Sequence, residues 1–257
     1  MLTPPEIARS LLAAGESKAR LPFGKMLLLA ILAGAYIALA GVGATAAAVT
    51  VESGSLAKLL SACVFPAGLS MVILAGSELF TGNCLMVMAL LERRITPAQL
   101  LRNWLTVYLG NAVGGAAVAA LAVYSHTASL FGDGLARSMV SIAESKAALG
   151  FGDAFLRGVL CNFLVCLAVW MAAASKRAEG KVIALFFPIL LFVLCGYEHC
   201  IANLYYLPAG AFAAAEYGME TTLTLAGCLK NLAAVTLGNL VGGAALGVGY
   251  RFAYLKE

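Results

Sequence analysis

Charge is what this chain has least of. Only 12% of its 257 residues are Asp, Glu, Lys or Arg, about half the usual ~25% of a soluble domain. A soluble globule cannot cover its surface with so few charges. Disordered chains are poor in apolar residues, and here 62% are hydrophobic. Histidine occurs twice, and the formal net charge is only +4. That excess is too small and dispersed for a nucleic-acid surface. The seven cysteines are an odd number, scattered through apolar stretches, unlike a secreted disulfide scaffold. A polytopic helical membrane protein remains, and its 27 glycines are the second anomaly.

A membrane helix needs about 20 apolar residues. Six intervals lack Asp, Glu, Lys and Arg: 26–51, 59–77, 103–132, 158–175, 182–197 and 231–250. They predict six crossings within one membrane domain, 1–257. The first crossing is too long and too well flanked to predict a cleaved signal. Lys and Arg concentrate on the cytoplasmic side of membranes. With the N-terminus inside, twelve fall inside, Lys256 among them, and five outside. Cytoplasmic N- and C-termini are therefore expected. Thr3-Pro4-Pro5-Glu6 reads as a capping box with proline at the first helical positions. Residues 3–17 are expected to form a short interfacial helix.

The second and fifth crossings each run into a glutamate, Glu78 or Glu198, followed by more apolar sequence. A carboxylate there is expensive unless it faces protein or water, and marks a substrate path by default. Gly76, Gly82 and Gly196 flank the glutamates, where glycine lets a backbone turn. Both crossings are predicted to be broken helices. The breaks also match each other. Gly76 to Asn83 and Gly196 to Asn203 carry Gly, Glu and Asn at offsets 0, 2 and 7. Residues 110–117 and 238–245, each Gly-Asn-x-Val-Gly-Gly-Ala-Ala, are identical at seven of eight positions. The separations are 120 and 128 residues. Two repeats follow, 26–125 and 151–252, each with three crossings, so the second is inverted. The Gly-Gly clusters read most simply as helix packing.

These residues resemble the formate/nitrite transporter family. The resemblance rests on Ala33 to Ile37, Gly76 to Asn83, Gly110-Asn111, Asn162 to Trp170, Pro188, Gly196 to Asn203 and Val235 to Asn239. It implies an aquaporin-like, six-helix protomer in a homopentamer, with one pore in each protomer, in the inner membrane of a prokaryote. Aquaporins carry Asn-Pro-Ala at their breaks, and this chain has none. By the same resemblance, Phe65, Leu69 and Phe192 form an outer hydrophobic constriction. Leu79, with neighbouring Phe80, Asn162 and Val165, forms the inner one. Thr81 and His199 meet in the chamber between, and Lys146 concentrates anions in the outer vestibule.

A bare anion cannot cheaply cross a dry constriction: the idealised penalty is of order 20 kcal/mol. The anion of a weak acid can instead be protonated and cross neutral, so a proton is expected as co-substrate and no cofactor is. His199 is the embedded side chain whose ordinary pKa, ~6.5, suits proton exchange. Burial disfavours a permanent imidazolium. His126 reads as a loop residue. A second reading is an intramembrane metalloenzyme built on Cys195, His199 and Cys200, which are close in sequence but lack a finger spacing or an evident fourth ligand.

Overall fold

The computed structural model describes residues 1–255; Lys256 lies outside them. The described residues are helical, without a strand. Helix α1 (Pro4–Ala19) starts at a capping box, with the Thr3 amide and hydroxyl donating to Glu6 at 2.7 and 2.8 Å. Then come α2 (Phe23–Ala46), α3 (Gly54–Val64), α4 (Pro66–Ala75), and the short α5 (Phe80–Asn83) and α6 (Val87–Leu91). Next is α7 (Pro97–Tyr124), with a second capping box between Thr96 and Gln99. The rest are α8 (Gly134–Ala148), α9 (Phe151–Ala173), α10 (Ala178–Leu194), α11 (Cys200–Glu216) and α12 (Leu225–Tyr254).

By length and apolarity five helices can cross a membrane: α2, α3 with α4 as Gly54–Ala75, α7, α9 and α12. Between α3 and α4, Pro66 takes the first helical position, where its missing N–H is tolerated. Exposed leucines at four-residue spacing, Leu101, Leu105 and Leu109 on α7, form an apolar stripe on the surface.

Glycine sets how closely the long helices pack. A Cβ on Gly114 of α7 would lie 2.0 Å from the Ile31 carbonyl oxygen of α2. A Cβ on Gly242 of α12 would lie 2.1 Å from the Val159 oxygen of α9. Real Cβ atoms do not approach so closely, so both pairs touch backbone to backbone. The α2–α7 and α9–α12 pairs thus use matching glycines in the same way. They frame a core holding Val165, Ile201 and Phe192.

Candidate functional site

The chain turns sharply at two places. Helix α4 ends at Gly76, left-handed at φ 79°, and extended backbone leads to α5. Helix α10 ends before Gly196, at φ 69°, and extended backbone at His199 leads into α11. Such turns strip backbone groups of their helical partners, and each orphan is costly where water is absent. One asparagine repairs each break. Asn111 on α7 donates from Nδ2 to the Ala30 and Glu78 carbonyls at 2.7 and 2.9 Å, and its Oδ1 accepts the Phe80 N–H at 3.0 Å. Asn239 on α12 donates to the Gly158 and Glu198 carbonyls at 2.8 and 2.9 Å, and accepts the Cys200 N–H at 2.9 Å.

The two glutamates are held in matching ways. Asn83 Nδ2 donates to Glu78 at 2.7 Å and to Asn103 Oδ1 at 2.9 Å. Asn203 Nδ2 donates to Glu198 at 2.7 Å and to Asn231 Oδ1 at 2.8 Å. Lys18, from α1, reaches Glu78 at 2.7 Å. Lys146, from α8, reaches both oxygens of Glu198 at 2.9 and 3.0 Å. Asn103 and Asn231 then donate to the backbone carbonyls of Lys18 and Lys146.

Thr81 and His199 join the two breaks through a 2.9 Å hydrogen bond between Oγ1 and Nε2. His199 is also the N-cap of α11: its Nδ1 accepts the Ala202 N–H at 3.1 Å. A backbone amide can only donate, so Nδ1 carries no proton. The neutral ring then holds its proton on Nε2 and donates it to Thr81. The threonine hydroxyl hydrogen is left for another acceptor.

Two cavities border the breaks. The larger, about 850 Å³, is lined by Phe65, Phe192, His199, Glu198 and Lys146 among others. The smaller, about 290 Å³, is lined by Leu69, Leu79, Glu78 and Lys18. The Phe65 and Phe192 rings meet edge-on, centroids 5.6 Å apart, and Phe192 stacks on His199.

Some expected positions fall elsewhere. Leu69 lines the smaller cavity, not the one that Phe65 and Phe192 line. Phe80 lines neither; it packs edge-on against Tyr108 and Trp104. Val165 and Asn162 are buried and line neither cavity. Asn162 instead donates to the Thr81 and Asn239 carbonyls at 3.3 and 2.7 Å. Lys146 does border the larger cavity, but Glu198 holds its ammonium. His126 sits in a turn with φ 58°. Cys200 is buried and Cys195 exposed. Among the described residues no group of three or more His, Cys, Asp or Glu gathers to hold a metal, so the metalloenzyme reading has no support.

Lys18, Asn103 and Asn231 did not stand out in the sequence, and Asn111 and Asn239 read only as parts of packing clusters and of the segments that carry the family resemblance. One signal was available. Lys18 and Lys146, Asn103 and Asn231, and Asn111 and Asn239 are all 128 residues apart, so extending that register along the chain finds all six.

The chain is similar to known proteins in sequence and in fold. The family model for "Formate/nitrite transporter" matches residues 5–253. A probable formate transporter of Methanothermobacter thermautotrophicus is 38% identical, covering 99% of this chain and 98% of its own. The formate channel FocA of Haemophilus influenzae is 39% identical over 86% of this chain and 84% of its own. Among solved structures, an FNT family ion channel superposes with a TM-score of 0.86 at 32% identity, covering 96% and 98% of the two chains. A pentameric formate channel with formate bound superposes at 0.80, with 33% identity and coverages of 91% and 98%. These relatives are channels and transporters, not enzymes, and the chain belongs to the formate/nitrite transporter family.

Proposed function

We propose that this protein carries small monovalent anions of weak acids across a membrane. Formate and nitrite are its foremost substrates, and hydrosulfide is a further candidate. The relatives' recorded substrate, formate, supports the class. In this reading α1 lies on the cytoplasmic face of a prokaryotic inner membrane and both termini are cytoplasmic. The six crossings form two inverted halves, 26–125 and 151–252, each with a broken helix. The matching asparagine clamps, Lys–Glu pairs and glycine contacts support the repeat. The protomers form a homopentamer, as in the solved formate channel, and their apolar stripes meet neighbours or lipid.

The larger cavity is then the outer vestibule and the smaller the inner one. Between them the path narrows at Phe65 and Phe192 and again at Leu79, around Thr81 and His199. A bare anion entering this layer faces the full desolvation penalty. An anion that takes one proton from vestibule water becomes a neutral acid, crosses, and returns the proton on the far side. His199 acts here as a neutral group. An imidazolium needs a hydrogen on Nδ1, which faces the Ala202 N–H. His199 therefore orients Thr81 by donating to it, and Thr81 offers its hydroxyl hydrogen to the passing oxygen.

The observation that carries this reading is the hydrogen bond joining the breaks, Thr81 to His199. Uptake of formate, nitrite and hydrosulfide into proteoliposomes, in parallel at acidic and neutral pH, tests it. Faster uptake at acidic pH is expected. Thr81→Val should slow it about tenfold at both pH values, the worth of one hydrogen bond near 1.4 kcal/mol. Unchanged flux in Thr81→Val would overturn the role of the pair.

A further inference from the structure

The two vestibules differ in charge. The smaller is lined by two charged side chains, Lys18 and Glu78, and these pair at 2.7 Å. The larger is lined by Lys58, Arg137, Lys146 and Arg157, with Glu198 the sole carboxylate among its described lining residues. Lys146 satisfies that carboxylate. Lys58, Arg137 and Arg157 have no carboxylate partner among the described residues.

These three cations come from separate helices, α3, α8 and α9, and face one space. Lys58 Nζ lies 4.0 Å from where a Cβ on Gly196 would stand. Arg157 is next to the break as well, its carbonyl accepting the Glu198 N–H at 3.3 Å. On α8, Arg137, Ser141 and Ser145 follow at four-residue spacing, so one face brings a guanidinium and two hydroxyls to the cavity wall. Donors and unpaired positive charge thus surround a chamber far larger than formate needs.

We propose that this vestibule is also a docking site for a compact divalent oxyanion, of the sulfate or short dicarboxylate class, which plugs the pathway from the outer side. The inference takes its inside and outside from the proposed topology. Valence decides the outcome. A positive potential enriches an ion as the exponential of its charge, so a dianion's enrichment is the square of a monoanion's. Formate becomes neutral by taking one proton. Sulfate carries two charges, so one proton would still leave an anion, and it stays at the cations. The smaller vestibule has no comparable excess of charge, so block is one-sided.

Two measurements test the proposal. Calorimetric titration of the purified full-length protein with sulfate, at constant ionic strength, reads docking without any need for transport. Binding should be saturable, and Lys58→Gln/Arg157→Gln should weaken it about tenfold or more, since each removed charge subtracts a favourable contact with both sulfate charges. Arg137→Gln, which removes one cation and not two, should weaken it less and serves if the double variant does not fold. The second measurement is formate uptake by right-side-out and inside-out membrane vesicles, with sulfate added only to the bath. Inhibition should appear in right-side-out vesicles alone. Absence of binding, binding unchanged in the variants, or equal block from both sides would overturn the proposal. Formate uptake without sulfate reads the transport function separately.

Discussion

Asn239→Leu removes the clamp on the second break at nearly constant volume. Three contacts disappear: to the Gly158 carbonyl, the Glu198 carbonyl and the Cys200 N–H. They are not equal losses. Gly158 lies inside α9, so its carbonyl keeps its place in that helix's own ladder. The Glu198 carbonyl and Cys200 N–H belong to the break itself. Ala202, the residue four positions after Glu198, donates its N–H to the His199 ring instead. Two buried backbone groups are therefore orphaned, at about 1–3 kcal/mol each, which sums to about 2–6 kcal/mol. The loss falls on the segment that aims Glu198 and His199. Thermal unfolding in detergent should show the destabilisation. Formate uptake per folded protein should fall further than the folded fraction does, because His199 loses its fixed position. Asn111→Leu should behave alike, since its three contacts have the same geometry. An Asn239→Leu protein that melts and transports like the unmodified chain would refute the clamp.

The Lys–Glu pairs yield a graded prediction. The Lys146 and Glu198 side chains are 15% and 6% exposed, whereas Lys18 is 31% exposed. Lys146→Met should destabilise by about 3–5 kcal/mol by leaving a buried carboxylate uncompensated; Lys18→Met should do less, and adding Glu198→Gln to Lys146→Met should restore part of the loss on the same melting curve. Glu144 on α8 tethers the loop after α11: it accepts the Thr222 N–H at 2.6 Å and the Thr221 and Thr222 hydroxyls at 2.9 and 3.0 Å. These bonds, the Thr222 amide foremost, hold its carboxyl below the ordinary 4.5. A depressed pKa means that the tether is fully present above that ordinary value and is lost as pH falls through the lower folded value. Proteolysis of the 217–224 loop should therefore accelerate only on strong acidification, and Glu144→Gln should make cleavage fast at neutral pH.

The all-helical membrane fold was legible because scarce charge and long apolar intervals leave few alternatives. The breaks were legible because Gly76 and Gly196 recur with Glu and Asn at fixed spacing, and both take the left-handed backbone that favours glycine. What holds the breaks was harder to see. Lys18 lies 60 residues from Glu78 and just past the residues 3–17 that read as an interfacial helix, so its pairing is a tertiary fact. Asn111 and Asn239 were hidden in glycine clusters whose packing role is itself visible in the structure. Phe80 is the opposite case. It neighbours Leu79 in sequence, but α5 begins there and turns the ring toward Trp104 and Tyr108. Adjacency could not tell which side chain lines a cavity.

In the proposed function the anion crosses as a neutral acid past an uncharged His199. The most direct measurement is proton stoichiometry: internal pH, read with an entrapped dye, and labelled formate followed together in proteoliposomes against protein-free vesicles. One proton should enter with each formate, and the flux should be insensitive to an imposed membrane potential. Formate uptake without internal acidification, driven by potential, would contradict it.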